Sequence, residues 1–162
     1  MSSQLSDKEL EGFIRKNHTD IYRYLCHKGA SSEDAEDLTQ EAFMRIVQRT
    51  HVAGTGYLNR AYLFTIARNL LVDSYRAKGP ESVELTQEIE EKLKAPEKER
   101  DGFAEQVSRL PEDLREVLTL EYAQGFKASE IAEITGQSRF AVRRKTKKAL
   151  ALLKEAMEGS VS

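Results

Sequence analysis

The segment 129–150 restricts the fold of this chain more than any other part, because its spacing is that of two short helices and a tight turn. Ala132 is small where a neighbouring helix must come close, and Gly136 follows four residues later. Glycine readily adopts the left-handed conformation that ends a helix. Ser129 and Ser138 are predicted as the N-caps of the two helices. The spacing is typical of a helix-turn-helix.

The second of these helices has an apolar side and a basic side. Val142 and Ala149, seven residues apart, return to the apolar side. The basic side carries Arg139, Arg143, Arg144, Lys145, Lys147 and Lys148. A solvated terminal helix would account for the charge alone, but charge and turn spacing together favour DNA binding. Arg139 in the first turn opposes the helix dipole, and a bound anion would relieve this.

The composition limits the class of protein. A length of 162 residues allows one domain or two small ones, and 32% charged with 40% hydrophobic residues is typical of a soluble, helix-rich chain. Cys26 is the only cysteine, so no internal disulfide forms. No signal-peptide core is present, and no apolar run approaches the roughly 18–20 residues of a membrane span. We therefore expect a cytoplasmic protein.

The formal net charge of −2 hides an uneven distribution. Bases outnumber acids in 51–80 and again from residue 127 onwards, whereas acids dominate 81–122. Two basic blocks separated by an acidic one indicate two contacts with a polyanion and an intervening segment that avoids it.

Apolar periodicity predicts three helices in the first half of the chain. They are Ser6–Lys28, with Ser6 and Glu9 as a capping box, a helix from Ser31 or Ser32 to about Arg49, and Tyr57–Lys78. The segment Thr50–Gly56 has two glycines and little periodicity, so it is predicted as a loop.

A second helical block is predicted from about Asp101. Pro111 suits the first position of a helix, and the apolar stripe of that helix is predicted as Leu114, Val117, Leu118 and Tyr122, with Gly125 at its end. We see no strand pattern. The predicted fold is all-α: two small helical domains over residues 1–79 and 101–158, joined by a flexible acidic linker over 80–100.

The third predicted helix has an unusual polar face. Its members are spaced by three and four residues and share one side: Tyr62, Thr65, Asn69, Asp73 and Arg76. Arg60, Arg68 and Lys78 add charge around them. An aromatic ring beside amides and bases suits unpaired nucleotides, since every base has a π-face. An ordinary solvated face is the alternative, and the neighbouring helix-turn-helix favours the nucleic-acid interpretation.

Three segments together resemble bacterial sigma factors. They are AEDLTQEAFMRIV at 35–47, YLFTIARNLLVDSYR at 62–76 and LPEDLREVLTLEYAQGFKASEIAEITGQSRFAVRRKTKKAL at 110–150. The chain is similar in particular to the small extracytoplasmic-function class, which has only the family's regions 2 and 4. The resemblance implies a three- to four-helix region 2 domain, a helix-turn-helix region 4 domain and no catalytic activity.

The resemblance also implies partners and site residues. Region 2 is expected to dock on the β′ clamp helices of core RNA polymerase through Asp37, Leu38, Gln40 and Glu41. The face Tyr62, Thr65, Asn69, Asp73 and Arg76 is expected to recognise and melt the minus-ten element. Arg139, Arg143, Arg144 and Lys147 are expected at the minus-thirty-five element. The β flap, promoter DNA and an anti-sigma factor complete the expected partners.

The chain departs from the sigma pattern at two positions. Many relatives carry tryptophan where this chain has Tyr62, and an aliphatic residue where it has Thr146. A tyrosine ring still stacks on a base, so the first departure preserves the chemistry.

No cofactor or metal site is expected. His18, Cys26 and His27 are spread around one helix, so they cannot form a site without other ligands. Two other functions remain open from the residues alone. One is a stand-alone helix-turn-helix regulator that dimerises through its N-terminal block, and the other is a sigma-like domain that sequesters a regulator.

Overall fold

The computed structural model describes residues 7–78 and 103–161, and neither range contains a strand. The chain divides into two compact helical units. The predicted all-α class with two helical domains is confirmed. The predicted linker over 80–100 and the Ser6 half of the predicted capping box lie outside the described residues.

Within residues 7–78, the first unit consists of α1 (Asp7–His27), α2 (Ser32–Ala53) and α3 (Arg60–Lys78), with a short 3-10 turn at Thr55–Tyr57. Helix α2 packs against both α1 and α3. The core combines apolar residues from all three helices, chiefly Ile21, Leu25, Ala42, Ile46, Leu63, Phe64 and Leu71. The three helices were predicted, and this core follows from their apolar stripes.

Helix α2 begins as predicted but ends later than predicted. The Ser31 hydroxyl accepts a hydrogen bond from the Asp34 N–H at 3.0 Å, which caps the helix. The loop prediction was wrong for 50–53, because α2 continues to Ala53 and the Gly54 N–H donates to the Thr50 carbonyl at 2.9 Å. The Thr50 side chain is buried, and its hydroxyl donates to the Ile46 carbonyl at 2.7 Å. Gly54, with φ +103°, ends it.

Helix α3 begins three residues later than predicted. The Asn59 side chain accepts a hydrogen bond from the Tyr62 N–H at 2.8 Å, so Asn59 caps α3. Tyr57 consequently lies in the 3-10 turn before the helix.

Arg60, the first residue of α3, forms hydrogen bonds with side chains of α1. Its guanidinium donates to the Asn17 side-chain oxygen at 3.1 Å and to the Asp20 carboxylate at 3.1 Å. It also lies 5.1 Å from the centre of the Phe64 ring. Asn17 is only 2% exposed, and its amide nitrogen donates to the Phe13 carbonyl at 2.9 Å. The Arg60 contact therefore satisfies a buried acceptor that water cannot easily reach.

We expect Arg60→Met to destabilise the first unit by about 1–3 kcal/mol, because it leaves the buried Asn17 oxygen without this partner. Urea unfolding followed by circular dichroism measures the change. Arg23→Met, at an exposed position of α1, is the matched control and should leave the midpoint nearly unchanged. Equal midpoints for the two variants would show that the α1–α3 contact contributes little to stability.

Over residues 103–161, the second unit has the α-helices α4 (Phe103–Ser108), α5 (Glu112–Leu118), α6 (Ala128–Thr135) and α7 (Arg139–Val161). Helices α4, α5 and α6 all pack against α7. One core cluster consists of Leu110, Leu114, Leu118, Ala149 and Leu153.

Two details around α5 differ from the prediction. Pro111 precedes the helix at φ −52° and ψ 147° instead of occupying its first position, and its carbonyl accepts the Arg115 N–H at 2.9 Å. Tyr122 is 63% exposed and does not belong to the apolar stripe. A π-helical turn at 119–123 adds a residue to the turn and shifts the register, so Leu120 is buried instead.

The helix-turn-helix forms as predicted, with one correction. Ser129 is not the N-cap of α6, because the helix begins at Ala128 and the Glu130 carboxylate accepts the Lys127 N–H at 2.9 Å. Gly136 ends α6 at φ +72°, and the Ser138 hydroxyl accepts the Ala141 N–H at 3.0 Å at the start of α7. The left-handed glycine and the serine cap were both predicted.

Candidate nucleic-acid interface

Helix α7 presents basic side chains on the side that faces away from its buried packing residues. Val142 and Ala149 are almost fully buried, whereas Arg139, Arg143, Arg144, Lys147 and Lys148 are all exposed. Lys145 differs from these residues. Its ammonium group lies 3.5 Å from the Asp113 carboxylate of α5, so this cation is partly neutralised within the unit.

The side chains of the polar face predicted on α3 differ in their exposure to solvent. Asn69, Asp73 and Arg76 are exposed, and Tyr62 and Thr65 are half-buried. The Thr65 hydroxyl donates to the Ala61 carbonyl at 2.9 Å. The Thr65 hydroxyl proton is therefore already used in a hydrogen bond. The Asn69 amide, by contrast, offers two N–H donors and one acceptor to a ligand.

Arg60 does not join this face. Nine residues, or two and a half helical turns, separate it from Asn69, which places the two side chains on opposite sides of α3. Arg60 instead contacts Asn17 and Asp20, as described above. The sequence predicted that Arg60 adds positive charge to this face. In the structure, the Arg60 guanidinium instead contacts side chains of α1 within the unit.

An aromatic cluster, defined as Tyr57, Tyr62 and the adjoining Arg49, lies at the start of α3. The Tyr57 and Tyr62 rings are 5.3 Å apart and tilted by 60°. The Arg49 guanidinium lies 4.8 Å from the centre of the Tyr57 ring, within the range of a cation–π contact. Sequence reasoning identified Tyr62 but missed Arg49 and Tyr57, because a turn brings Tyr57 to Tyr62 and helical spacing does not.

The acidic surface of α2 contains the residues predicted to bind polymerase. Asp37 and Gln40 are exposed, whereas Leu38 and Glu41 are half-buried. The Glu41 carboxylate accepts a hydrogen bond from Arg45 at 3.0 Å. Sequence reasoning missed Met44, which is 57% exposed. Its spacing of four from Gln40 and seven from Asp37 is the signal that places it on the same side.

Metal binding finds no support in the described part of the chain. No group of three or more His, Cys, Asp or Glu side chains is arranged there to hold a metal ion. His18 stacks on Phe43 with ring centres 6.2 Å apart. Cys26 is buried, and burial raises the pKa of its thiol, which keeps it protonated and poorly reactive.

The chain matches two known protein families. The sigma-70 region 2 family matches residues 13–81, and the sigma-70 region 4 family matches residues 100–153. The two matches follow each other along the chain in the family's order and together span most of it. The chain belongs to the sigma-70 family. Region 2 thus corresponds to the unit of α1–α3 and region 4 to the unit of α4–α7.

Several sequence relatives of this sigma factor are named as members of the extracytoplasmic-function (ECF) class. It is 27% identical to the ECF RNA polymerase sigma factor BldN of Streptomyces coelicolor, over 87% of this chain and 58% of that protein. It is 23% identical to SigX of Bacillus subtilis, over 87% of this chain and 79% of SigX. It is 32% identical to EcfG of Rhodopseudomonas palustris, over 65% of this chain and 61% of EcfG. The chain thus spans less than two thirds of BldN and EcfG.

Two solved structures share the fold of this sigma factor. The sigma factor RpoE of Bartonella quintana, in complex with the anti-sigma factor NepR, has a TM-score of 0.67 at 21% identity, over 93% of this chain and 98% of that one. CnrH, in complex with the cytosolic domain of CnrY, has a TM-score of 0.64 at 21% identity, over 95% and 90%. The predicted resemblance is confirmed.

Within the ranges that the structure describes, no helix of this sigma factor is both long enough and apolar enough to cross a bilayer.

Proposed function

We propose that this sigma factor binds core RNA polymerase and directs promoter-specific initiation by recognising two promoter elements. The observation that carries the proposal is that each of the two units exposes a polar or basic helix surface. One is the α3 face with exposed Asn69, Asp73 and Arg76, and the other is the basic side of α7. The family places such surfaces in regions 2 and 4, which supports their assignment to the minus-ten and minus-thirty-five elements.

The two surfaces have different chemistry and therefore different tasks. Helix α7 offers guanidinium and ammonium groups that suit a duplex backbone and guanine edges. The α3 face offers the Asn69 amide and, two helical turns before it, the Tyr62 ring of the aromatic cluster. An amide and an aromatic ring suit bases that have left the duplex. Each surface alone is small, and holding both on one promoter at a fixed spacing raises the combined affinity.

This proposal gives each part of the chain a role. Residues 1–79 would dock on polymerase and melt the minus-ten element, and 101–158 would read the minus-thirty-five element and meet the β flap. Residues 80–100 would join the two domains. The chemistry of RNA synthesis would stay with the polymerase, so this role requires no catalytic residue of the chain. Since polymerase is cytoplasmic, the chain would act in the cytoplasm.

Transcription in vitro tests the proposal. Purified chain and core polymerase are incubated with a genomic promoter library, and the 5′ ends of the transcripts are sequenced. We expect a set of start sites that requires the chain and shares two spaced elements upstream. Core polymerase that gains no start site from the chain would reject the proposal. A dimer that binds a palindrome without polymerase would instead support the stand-alone regulator.

The exposed side of α2 is the proposed contact with the β′ clamp helices. It combines the Asp37 carboxylate and the Gln40 amide with the apolar Met44 side chain. Asp37 lies beyond the first turn, where Glu33 and Asp34 already complement the dipole. Its carboxylate is therefore not needed to start the helix and is available to a partner.

We expect Asp37→Arg to weaken binding to core polymerase by about tenfold or more, because a like charge at a complementary interface costs up to several kcal/mol. Fluorescence anisotropy of the labelled chain, titrated with core polymerase, measures the change. Glu158→Arg at an exposed position of α7 is the matched control. Equal losses in the two variants would exclude a specific contact at Asp37.

An anti-sigma factor is a further proposed partner. The two structural neighbours described above, RpoE and CnrH, were solved in complexes with NepR and with the cytosolic domain of CnrY. A pull-down of the tagged chain from its host tests this proposal. A polypeptide that copurifies with the chain and displaces core polymerase is the expected result, and recovery of polymerase alone would contradict it.

A further inference from the structure

We propose that Phe140 contacts the C5-methyl group of a thymine in the upstream promoter element and thereby adds a specificity that the arginines of α7 do not supply. This inference rests on the proposed function of region 4. It concerns a residue that the sequence analysis did not assign to any site.

The exposure of Phe140 is the first observation. Its side chain is 85% exposed in the first turn of α7, whereas the similar rings of Phe43, Phe64 and Phe126 are buried. A phenylalanine gains about 1.5–3 kcal/mol from full burial and gains almost nothing here in the free chain. Neither helix propensity nor capping accounts for this residue, because Ser138 already caps the helix.

The direction of Phe140 is the second observation. Phe140, Arg144 and Lys147 are spaced by four and three residues, so they share one side of α7. Val142 and Ala149 lie on the opposite side and are buried in the unit. Phe140 is thus the first residue of the outward ridge of the helix, and it is followed by two cations.

This place is where a recognition helix meets the bases. In helix-turn-helix proteins the N-terminal residues of the second helix contact base edges in the major groove. Phosphate contacts by lysine and arginine position such a helix but carry no direct sequence information. Arginine reads guanine, whereas an apolar side chain reads the methyl group of thymine. A phenylalanine between cations therefore adds recognition of A·T pairs.

The alternative to a DNA contact is that the exposed Phe140 ring contacts a protein. An exposed aromatic ring also fits a pocket on the polymerase or on a second copy of the chain. Such a contact would be independent of the DNA sequence. Removal of the thymine methyl group distinguishes a DNA contact from a protein contact, because it changes only the DNA and leaves the polymerase and the chain unchanged.

The test replaces thymine by uracil in the DNA, which removes the C5-methyl group and preserves base pairing. Holoenzyme is assembled from core polymerase and the full chain, with either wild-type sequence or Phe140→Ala. The DNA is a promoter selected by the wild-type holoenzyme, with uracil placed singly at each thymine of its upstream element. Affinities are measured at one salt concentration, since the phosphate contacts are salt-dependent.

We expect one uracil position at which wild-type holoenzyme loses about fourfold in affinity, the equivalent of one buried methyl group. Phe140→Ala should bind the thymine and uracil forms equally at that position, which gives a coupled double-mutant cycle. Arg143→Ala should keep the thymine preference while it weakens binding. Because Phe140 is exposed, thermal unfolding of Phe140→Ala should match that of wild type.

Several results would overturn the inference. They are an upstream element without a sensitive thymine, a thymine preference that survives in Phe140→Ala, and a loss of polymerase affinity in Phe140→Ala without any change in that preference. A wild-type holoenzyme that selects no promoter would overturn the proposed function and this inference together. A promoter that is selected but insensitive to uracil would overturn only this inference.

Discussion

Replacing Asn69 by alanine is expected to lower promoter-dependent transcription by about ten- to a hundredfold, because a good bidentate contact to a base is worth about 1–3 kcal/mol. Asn69 is exposed near the middle of α3 and carries both donors and an acceptor. Its side chain makes no core contact to lose, so the folded state should keep its stability. Run-off transcription on a selected promoter measures the effect.

Two controls give the Asn69 experiment its meaning. Thr19→Ala, at an exposed position of α1, should leave transcription unchanged. A template with a pre-opened minus-ten region should restore part of the activity of Asn69→Ala, since strand opening then no longer depends on capture of an unpaired base. If the variant loses the same activity on closed and pre-opened templates, Asn69 acts at a step other than melting.

Replacing Arg143 and Arg144 together by alanine is expected to weaken the upstream contact by about tenfold or more at low salt. Both side chains are exposed on α7, so their charges are available to phosphate or to guanine. The slope of log affinity against log salt should become shallower by about 1.8, since each phosphate contact contributes about 0.9. Holoenzyme binding to a duplex that contains only the upstream element measures both quantities.

The matched control for this pair lies on the same helix. Lys145→Ala with Lys154→Ala removes the same net charge, but Lys145 is paired with Asp113 and Lys154 lies near the C-terminal end of α7. This control should change the salt slope much less. Equal slopes for the two double variants would mean that α7 binds DNA only through its overall charge.

The sequence by itself was sufficient for the helical architecture and for the helix-turn-helix. Periodic apolar residues predicted α1, α2 and α3, and local chemistry predicted the left-handed Gly136 and the cap at Ser138. These features depend on residues a few positions apart, so they can be predicted without a tertiary structure. The order of three motifs then indicated the family.

The sequence was a poorer guide to helix ends and to side-chain partners. Helix α2 continues through Thr50, whose side chain is buried among the helices of the unit. Tyr122 leaves the apolar stripe because a π-helical turn changes the register after α5. Neither feature has a strong local signal, since both depend on how neighbouring helices pack.

Charge was determined by the sequence, and its availability only by the tertiary structure. Arg60 and Arg143 are the same residue type on two basic helices, but the fold turns Arg60 towards Asn17 and Asp20 and leaves Arg143 exposed. The same holds for Phe140, whose exposure at the outward ridge of α7 follows from the burial of Val142 on the other side. Helical spacing states which side chains share a face, and only packing decides which face remains free, because the burial of apolar surface orients each helix.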